Sequence, residues 1–391
     1  MATYDLATQE FLKVLTSVLG PVKSSALALH EPNIGEHEHQ LVAQCLSSGW
    51  VSSVGAFITQ FENQLSKITG AAHVVATVSG TTGLHLSLYA VGVKPGNEVI
   101  VPTLSFVATA NSVAHCGAIP HFADSSSETL GMDPIALRKH LASTTTKRGG
   151  DLINTKTGNR IGAIVPMHAF GHPMQIDELD LVATEFDLPI VEDAAESLGS
   201  YYNEKHTGTF GLLGTLSFNG NKTITTGGGG AILTNNSDLA RHAKHLTTTA
   251  KLPHAWEFLH DEIGYNYRMP NINAALGCAQ LEQLPDKLES KRNLFKKYQH
   301  AFANVQGVRL LSEPKNCHSN YWLQTLLLDE SRTANRDLVL EATNNAGLMT
   351  RPAWVLINKL EPFNDSPSAD LSTAQSLSRR IINIPSSPGL I

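Results

Sequence analysis

The sequence predicts an α/β protein: a large domain on a mostly parallel central sheet with helices on both faces, followed by a smaller α+β domain. Three observations carry this. Short, nearly continuous apolar runs alternate with longer stretches of helical spacing, as in strands buried on both faces and joined by helical crossovers. After about residue 255 that alternation gives way to a long charged helical stretch and shorter strand-like runs. The chain has 391 residues, 42% of them hydrophobic, which is long for one compact domain and apolar enough for a substantial core.

Taken in order, residues 1–30 form an N-terminal segment in which FLKVLTSVLG reads as a short amphipathic helix. It lacks the basic start and cleavage site of a signal peptide. The large domain is expected over 31–255. HVVATV (73–78) runs through SGTTG into LHLSLYAVGV, which has helical spacing. EVIVP (98–102) leads into FVATANSVAHCG and a short IPHFAD, and AIVPMH (163–168) is followed by the helical IDELDLVATEFD and by LPIVEDAAES (188–197). TLSF (215–218) and GAILTN (230–235) precede a helix in DLARHAKHLTT. The small domain is expected over 256–391. There LEQLPDKLESKRNLFKKYQHAFANV reads as one long charged helix, YWLQTLLLD and GLMTRPAW as strands, and DLSTAQSLSRRIINIPSSP as a closing helix and tail.

Composition narrows the function. The net charge is −6 and no Lys/Arg run stands out, so neither nucleic acid nor an anionic membrane is the expected partner. No apolar run approaches the ~20 residues needed to span a bilayer. Cys45, Cys116, Cys278 and Cys317 are scattered without a CxxC pair. With no secretory signal, they point to a reducing cytoplasm rather than a disulfide framework.

In mostly parallel sheets, ligands bind at the carboxyl ends of the strands. That rule selects SGTTG, SFVAT, VEDAAES and SFNGNK. The last continues as SFNGNKTITTGGGGAIL (217–233), where Lys222 is followed by four glycines. A nucleotide P-loop needs the lysine after the glycines and a helix next; here the lysine comes first and the glycines run into a strand. Asp193 closes the apolar run LPIV, where a carboxylate costs free energy unless a cation or strong donor meets it. By itself it reads as an N-cap, a structural ion pair, or a partner for a protonated ring nitrogen. Ser79, Gly80, Thr81 and Thr82 open a helical pattern after a strand and form a natural anion cradle, although capping residues alone look much the same. Phe106, at another strand end, reads on its own as core. His37 and His39, and His168 and His172, lack a matching ligand set, so no metal is expected. Neither a GxSxG elbow nor a nucleophilic-cysteine signature is present.

The conjunction is more specific than its parts. Anion cradle, flat aromatic, acceptor carboxylate and lysine occur in that order, each at a predicted strand end, and pyridoxal 5′-phosphate requires that set.

On the markers SGWVSSVGAFITQFE (48–62), ATVSGTTGLHL, VPTLSFVATANSVAHCGAIPHFAD, MHAFGHP, EDAAESLGS, SFNGNKTITTGGGGA and GYNYRM, the chain resembles the DegT/DnrJ/EryC1/StrS family. These are fold-type I, pyridoxal-phosphate-dependent nucleotide-sugar aminotransferases, and the likeness runs from about LHEPNIGEHE to NIPSSP. In texture it is similar to the subgroup that aminates UDP-linked 4-keto-6-deoxy-HexNAc sugars on the way to legionaminic acid or bacillosamine. The resemblance implies that Lys222 tethers the cofactor, Asp193 holds its ring nitrogen, Gly80, Thr81, Thr82 and Ser217 bind its phosphate, and Phe106 stacks on its ring. Glu196 falls where many relatives carry His or Gln near the ring hydroxyl. Asn266 would reach the phosphate of the neighbouring subunit in a homodimer with shared active sites. Trp50, Ser52, His318, Tyr321, Arg351 and Trp354 are candidates for the sugar-nucleotide pocket. One departure is GGGG where many members have GEGG. The implied reaction moves an amino group from L-glutamate to a nucleotide-linked keto sugar for cell-surface glycan biosynthesis, in the cytoplasm. A 3-dehydratase on the same scaffold usually has histidine in place of Lys222, and a non-catalytic sugar-nucleotide binder would lack the lysine or the aspartate.

Overall fold

The structure, a computed structural model, describes residues 4–22 and 26–390. Its central sheet has strands β1 (His73–Thr77), β2 (Glu98–Pro102), β3 (Ile119–Ala123), β4 (Ile161–Ile164), β5 (Val191–Asp193), β6 (Leu213–Ser217) and β7 (Gly230–Thr234). They lie in the order β1-β7-β6-β5 and β4-β2-β3, and parallel bridges Ile164–Ile190 and Met167–Asp193 join the two halves. β5 with β6 and β2 with β3 and β4 are parallel pairs. β7 alone runs antiparallel, to both β1 and β6. The sheet is thus mostly parallel, with one reversed strand whose cause is local. No helix separates β6 from β7, and a return without a crossover makes an antiparallel neighbour.

Alternate residues of these strands feed different cores, as period-two geometry requires. Val99 and Val101 pack with Leu84, Leu88 and Val113 on one face, while Ile100 packs with Leu137, Leu141 and Leu179 on the other. In β7, Ile232 joins the first face and Ala231 and Leu233 join Ile58, Phe61 and Leu65 on the opposite one.

The flanks refine the sequence reading at four points. FLKVLTSVLG does form a helix, α1 (Leu6–Leu19), capped by Asp5. Its Phe11 and Leu15 share a core with Leu294, Tyr298, Phe302, Leu326 and Ile382, so this N-terminal segment packs on the C-terminal unit. The change of texture at 255 is not a packing boundary either. Helix Asn271–Glu282 places Ala274, Cys278 and Leu281 in one core with Phe61, Leu216 and Ala231. The long charged stretch is not one helix: it divides at Gln283, and a new helix, Leu284–Phe302, starts with Pro285 in its first turn, where proline's missing N–H costs nothing. The C-terminal unit's sheet is antiparallel, with β8 (Val308–Leu310), β9 (Gln324–Leu328), β10 (Arg351–Pro352) and β11 (Ile381–Ile384) in the order β8-β9-β11-β10. The closing stretch therefore holds a helix, Ser372–Ser378, and then a fully buried strand rather than a tail.

The reversed strand positions the site. Because β7 runs backwards, its first residue lies at the edge where β1 and β6 end, and Gly230 pairs with both Thr77 and Ser217. A Cβ on Gly230 would lie 2.5 Å from the Ser79 backbone, whereas one on Gly228 would meet nothing nearer than 3.9 Å. The four glycines therefore differ in kind. Gly230→Ala is expected to destabilise the fold by ~1–3 kcal/mol, the usual cost of overpacking, and Gly228→Ala by under about 0.5 kcal/mol. Paired urea melts check this, and equal midpoints would contradict the close-approach reading.

Candidate active site

Helix α4 (Gly80–Ala90, the fourth after α1, Glu36–Ser48 and Ala56–Thr69) begins directly after β1. Ser79 is its cap: the Ser79 Oγ accepts the Thr82 N–H at 3.1 Å. The Thr82 hydroxyl turns back to donate to the Ser79 carbonyl at 2.9 Å. Thr82 thus closes the helix start and does not line the cavity in front of it, unlike Gly80 and Thr81. A Cβ on Gly80 would lie 2.9 Å from Ser217 Cβ, so the lack of a side chain lets the N–H-rich helix end sit against the end of β6.

Asp193 ends β5 and is buried. Its Oδ2 accepts the Thr109 hydroxyl at 2.7 Å and its Oδ1 the Ala195 N–H at 3.1 Å. Burial pushes its carboxyl above the ordinary range, against the pull of Thr109, Ala195 and Lys222. Three residues on, Glu196 is also buried. One oxygen accepts the Phe170 N–H at 2.9 Å and the other faces Lys222 Nζ at 3.2 Å. Burial drives Glu196 up to about 7, although Lys222 opposes the shift. Lys222 Nζ also lies 3.9 Å from the centre of the Trp322 ring.

These groups surround one cavity of about 360 Å³, which collects Gly80, Thr81, Phe106, Asp193, Glu196, Ser217, Lys222 and Trp354 from the sequence candidates. Phe106 is 51% exposed, so it is a wall of the cavity and not core. Trp354 stacks on Phe170 with ring centres 4.7 Å apart. Other candidates stand elsewhere. Tyr321 is buried against Phe295, with ring centres 4.2 Å apart. His318 Nδ1 accepts from the Arg292 guanidinium, and exposed Arg351 donates to Asn344. Trp50 and Ser52 lie on an exposed loop that uses their carbonyls to hold Asn271, and Asn266 is exposed. The paired histidines diverge: His168 meets Glu192 at 3.0 Å, while His172 packs edge-on against Tyr321.

Sequence reasoning missed Thr109, Met167, Asn219, Asn221 and Trp322, all of which line the cavity. The strand read over YWLQTLLLD begins three residues later than expected, at Gln324, so Tyr321 and Trp322 lie in an irregular approach to it. Tyr321 sits at φ +47, outside strand geometry. A signal for Thr109 existed: it lies one helical turn beyond Ser105 and Phe106, whose strand end had been selected.

The residues fit pyridoxal 5′-phosphate. A helix N-terminus with Thr81 and Ser217 suits its phosphate, a half-exposed Phe106 its ring face, an under-donated carboxylate its ring nitrogen, and an amine its aldehyde. The description of the DegT/DnrJ/EryC1/StrS aminotransferase family matches residues 32–391. The chain belongs to that family. It is therefore an aminotransferase that uses pyridoxal phosphate, on the α/β fold of that family. GDP-perosamine synthase of Caulobacter vibrioides is 34% identical over 367 residues, covering 93% of this chain and 94% of its own length. Among solved structures, Helicobacter pylori PseC, an aminotransferase involved in pseudoaminic acid biosynthesis, is 26% identical with a TM-score of 0.82, over 92% of this chain and 93% of its own. DesI, solved in the presence of its TDP-sugar product, is 28% identical with a TM-score of 0.82, over 96% and 91%.

The Glu196 shift has a consequence for the cofactor-free protein. Its folded carboxyl titrates near 7 and an unfolded one near ~4.3. The proton is held more tightly in the folded state, so the associated stability is full below the unfolded value and lost as pH rises through 7. Thermal melts of cofactor-free wild type and Glu196→Gln are expected to diverge in the variant's favour between pH 5 and pH 8. A pH-independent difference would remove the assignment.

Proposed function

We propose that this aminotransferase transfers an amino group from L-glutamate to a nucleotide-linked keto sugar, at C4 of a UDP-4-keto-6-deoxy-HexNAc-type substrate, in a homodimer with shared active sites. The observation that carries the reading is the convergence of Lys222, Asp193, Phe106 and the α4 terminus on one cavity. When bound, pyridoxal phosphate supplies an aldehyde that condenses with amines and a ring that accepts electrons released at the substrate carbon. Lys222 supplies the amine that holds the cofactor and, once free, moves a proton at the reacting carbon. Asp193, short of donors and drawn toward a cation, keeps the ring nitrogen protonated. Thr81, Ser217 and the α4 N–H groups hold the phosphate, with Gly80 allowing the approach, while Phe106 covers one ring face.

The nucleotide-sugar substrate is supported by the relatives, which act on or bind GDP- and TDP-linked sugars by name. UDP and C4 rest on the marker segments quoted from the sequence. The dimer is supported by exposed apolar side chains in the segment leading to Asn266: Trp256, Phe258 and Ile263 are each more than three-quarters exposed, and exposed large apolar side chains of this kind suit a partner surface. Asn266 is the residue expected to cross to the partner's phosphate. Trp354 stands at the cavity wall, where a sugar would lie against it.

Two outcomes follow. Lys222→Ala should fold, bind the cofactor without the covalent tether and lose turnover by at least ~10³-fold, since a nucleophile and proton carrier are lost together. Near-normal turnover in that variant would overturn the assignment. UDP-, GDP- and TDP-linked keto sugars offered with glutamate, with products identified by mass and NMR, should give a 4-amino UDP-sugar. Amination of only the GDP or TDP substrates would correct the nucleotide, and no amination of any would sink the sugar reading.

A further inference from the structure

We propose that Trp322 is a positioning residue for Lys222, its indole face holding the free amine against the Glu196 carboxylate. The inference rests on the assignment of Lys222 as the reactive amine. Lys222 carries a long, flexible side chain, and in the cavity its Nζ meets two partners from different parts of the chain. Glu196 Oε1 is 3.2 Å away, and the Trp322 ring centre is 3.9 Å away, inside the range in which an indole attracts an ammonium. The lysine side chain is 13% exposed, so water does little to screen either contact.

Trp322 is itself fixed at every polar group. Its indole N–H donates to the Asn221 carbonyl at 2.7 Å, directly beside the lysine. Its backbone N–H donates to Asn320 Oδ1 at 2.8 Å. Its carbonyl accepts Lys291 Nζ at 3.1 Å, and the same buried amine donates to the Ser386 carbonyl at 2.6 Å. Asn320 then ties the two sides together, because its amide donates to the carbonyls of Glu196 at 2.8 Å and Leu198 at 2.9 Å. One asparagine thus sets the ring and the carboxylate at a fixed separation, with the amine between them. A tryptophan used only as filling would need none of this. Lys291, fully buried and spent on the Trp322 and Ser386 carbonyls, is an expensive way to hold two backbone groups unless the placement of Trp322 matters.

The test compares Trp322→Phe, which keeps an aromatic face, with Trp322→Met and Trp322→Leu, which keep bulk and lose the face. Three quantities are read: the rate at which cofactor-free protein takes up added pyridoxal 5′-phosphate, followed by Schiff-base absorbance; kcat and KM for glutamate; and thermal stability. Loss of a desolvated cation–π contact predicts uptake and kcat reduced roughly 10- to 30-fold in the Met and Leu variants, with KM changed less than about threefold and most of the loss recovered in the Phe variant. If the Leu variant does not fold, the Phe–Met pair decides. Equal uptake and kcat in folded Phe and Met variants would overturn the proposal, as would a loss that follows thermal stability alone. Failure of the wild type to take up the cofactor would instead overturn the assignment of Lys222.

Discussion

The close approach of Gly230 to the Ser79 backbone is the constraint on which the site depends. β7 is wedged between β1 and β6 and runs against both. Its entry therefore crosses the carboxyl edge where α4 starts and Ser217 ends its strand. With a Cβ at Gly230 the helix end would be pushed from Ser217 and the anion cradle opened. The same crossing limits the route of the loop before it. Phe218 N–H donates to the Gly229 carbonyl and its carbonyl accepts the Thr226 N–H, at 2.9 and 3.0 Å, so the chain closes into a tight loop with Lys222 on its outer arc. The glycines and the lysine are parts of one device: the former bring the backbone in, and the latter projects from the loop that results.

The C-terminal unit completes this device. The floor of the cavity comes from the central sheet, but Trp322 and Trp354 come from residues beyond the helix break at Gln283. Asn320 reaches Glu196, Leu198 and Thr223, and the Asn320 side chain occupies the space that a Cβ on Gly171 would need. The turn after His168 therefore accepts a left-handed Phe170 at φ +57, a conformation that costs a non-glycine residue. The Glu196 carboxylate offsets part of that cost by accepting the Phe170 N–H, and the stacked Trp354 ring fixes the side chain.

Much of this was legible. Every strand of the central sheet was visible as an apolar run, and the strand-end rule placed Thr81, Phe106, Asp193, Ser217 and Lys222 at one edge before any coordinates. What was hidden depended on contacts between distant segments. Helix Asn271–Glu282 carries one charged residue and is largely buried, but its place after the change of texture at 255 hides that Ala274, Cys278 and Leu281 share a core with Phe61. β11 is only four residues long, three isoleucines and Asn383, a length at which periodicity cannot separate strand from helix. Trp322 lies just ahead of the strand, after Tyr321 at positive φ, a backbone choice that no side-chain pattern records. Thr82 caps the helix start, and since capping and anion binding use the same residue types, sequence alone does not separate the two roles.

The segment VEDAAES shows how the molecule separates support from function. It buries three carboxylates within five residues, and each has a different supply of donors. Glu192 receives the N–H groups of Gly208, Phe210 and Gly211 at 2.6–2.8 Å and faces His168 at 3.0 Å. Burial would raise its carboxyl, but these donors outweigh it and hold it below the ordinary range. Asp193 has one hydroxyl and one N–H, and stays raised. Glu196 has one N–H and the Lys222 amine, and rises to about 7. A buried carboxylate short of donors is costly in isolation, so its retention calls for a partner that arrives later. Glu192 is complete and faces the sheet; Asp193 and Glu196 are incomplete and face the cavity. The shortage of donors, more than the presence of charge, marks where a protonated ring nitrogen and a moving proton have their place.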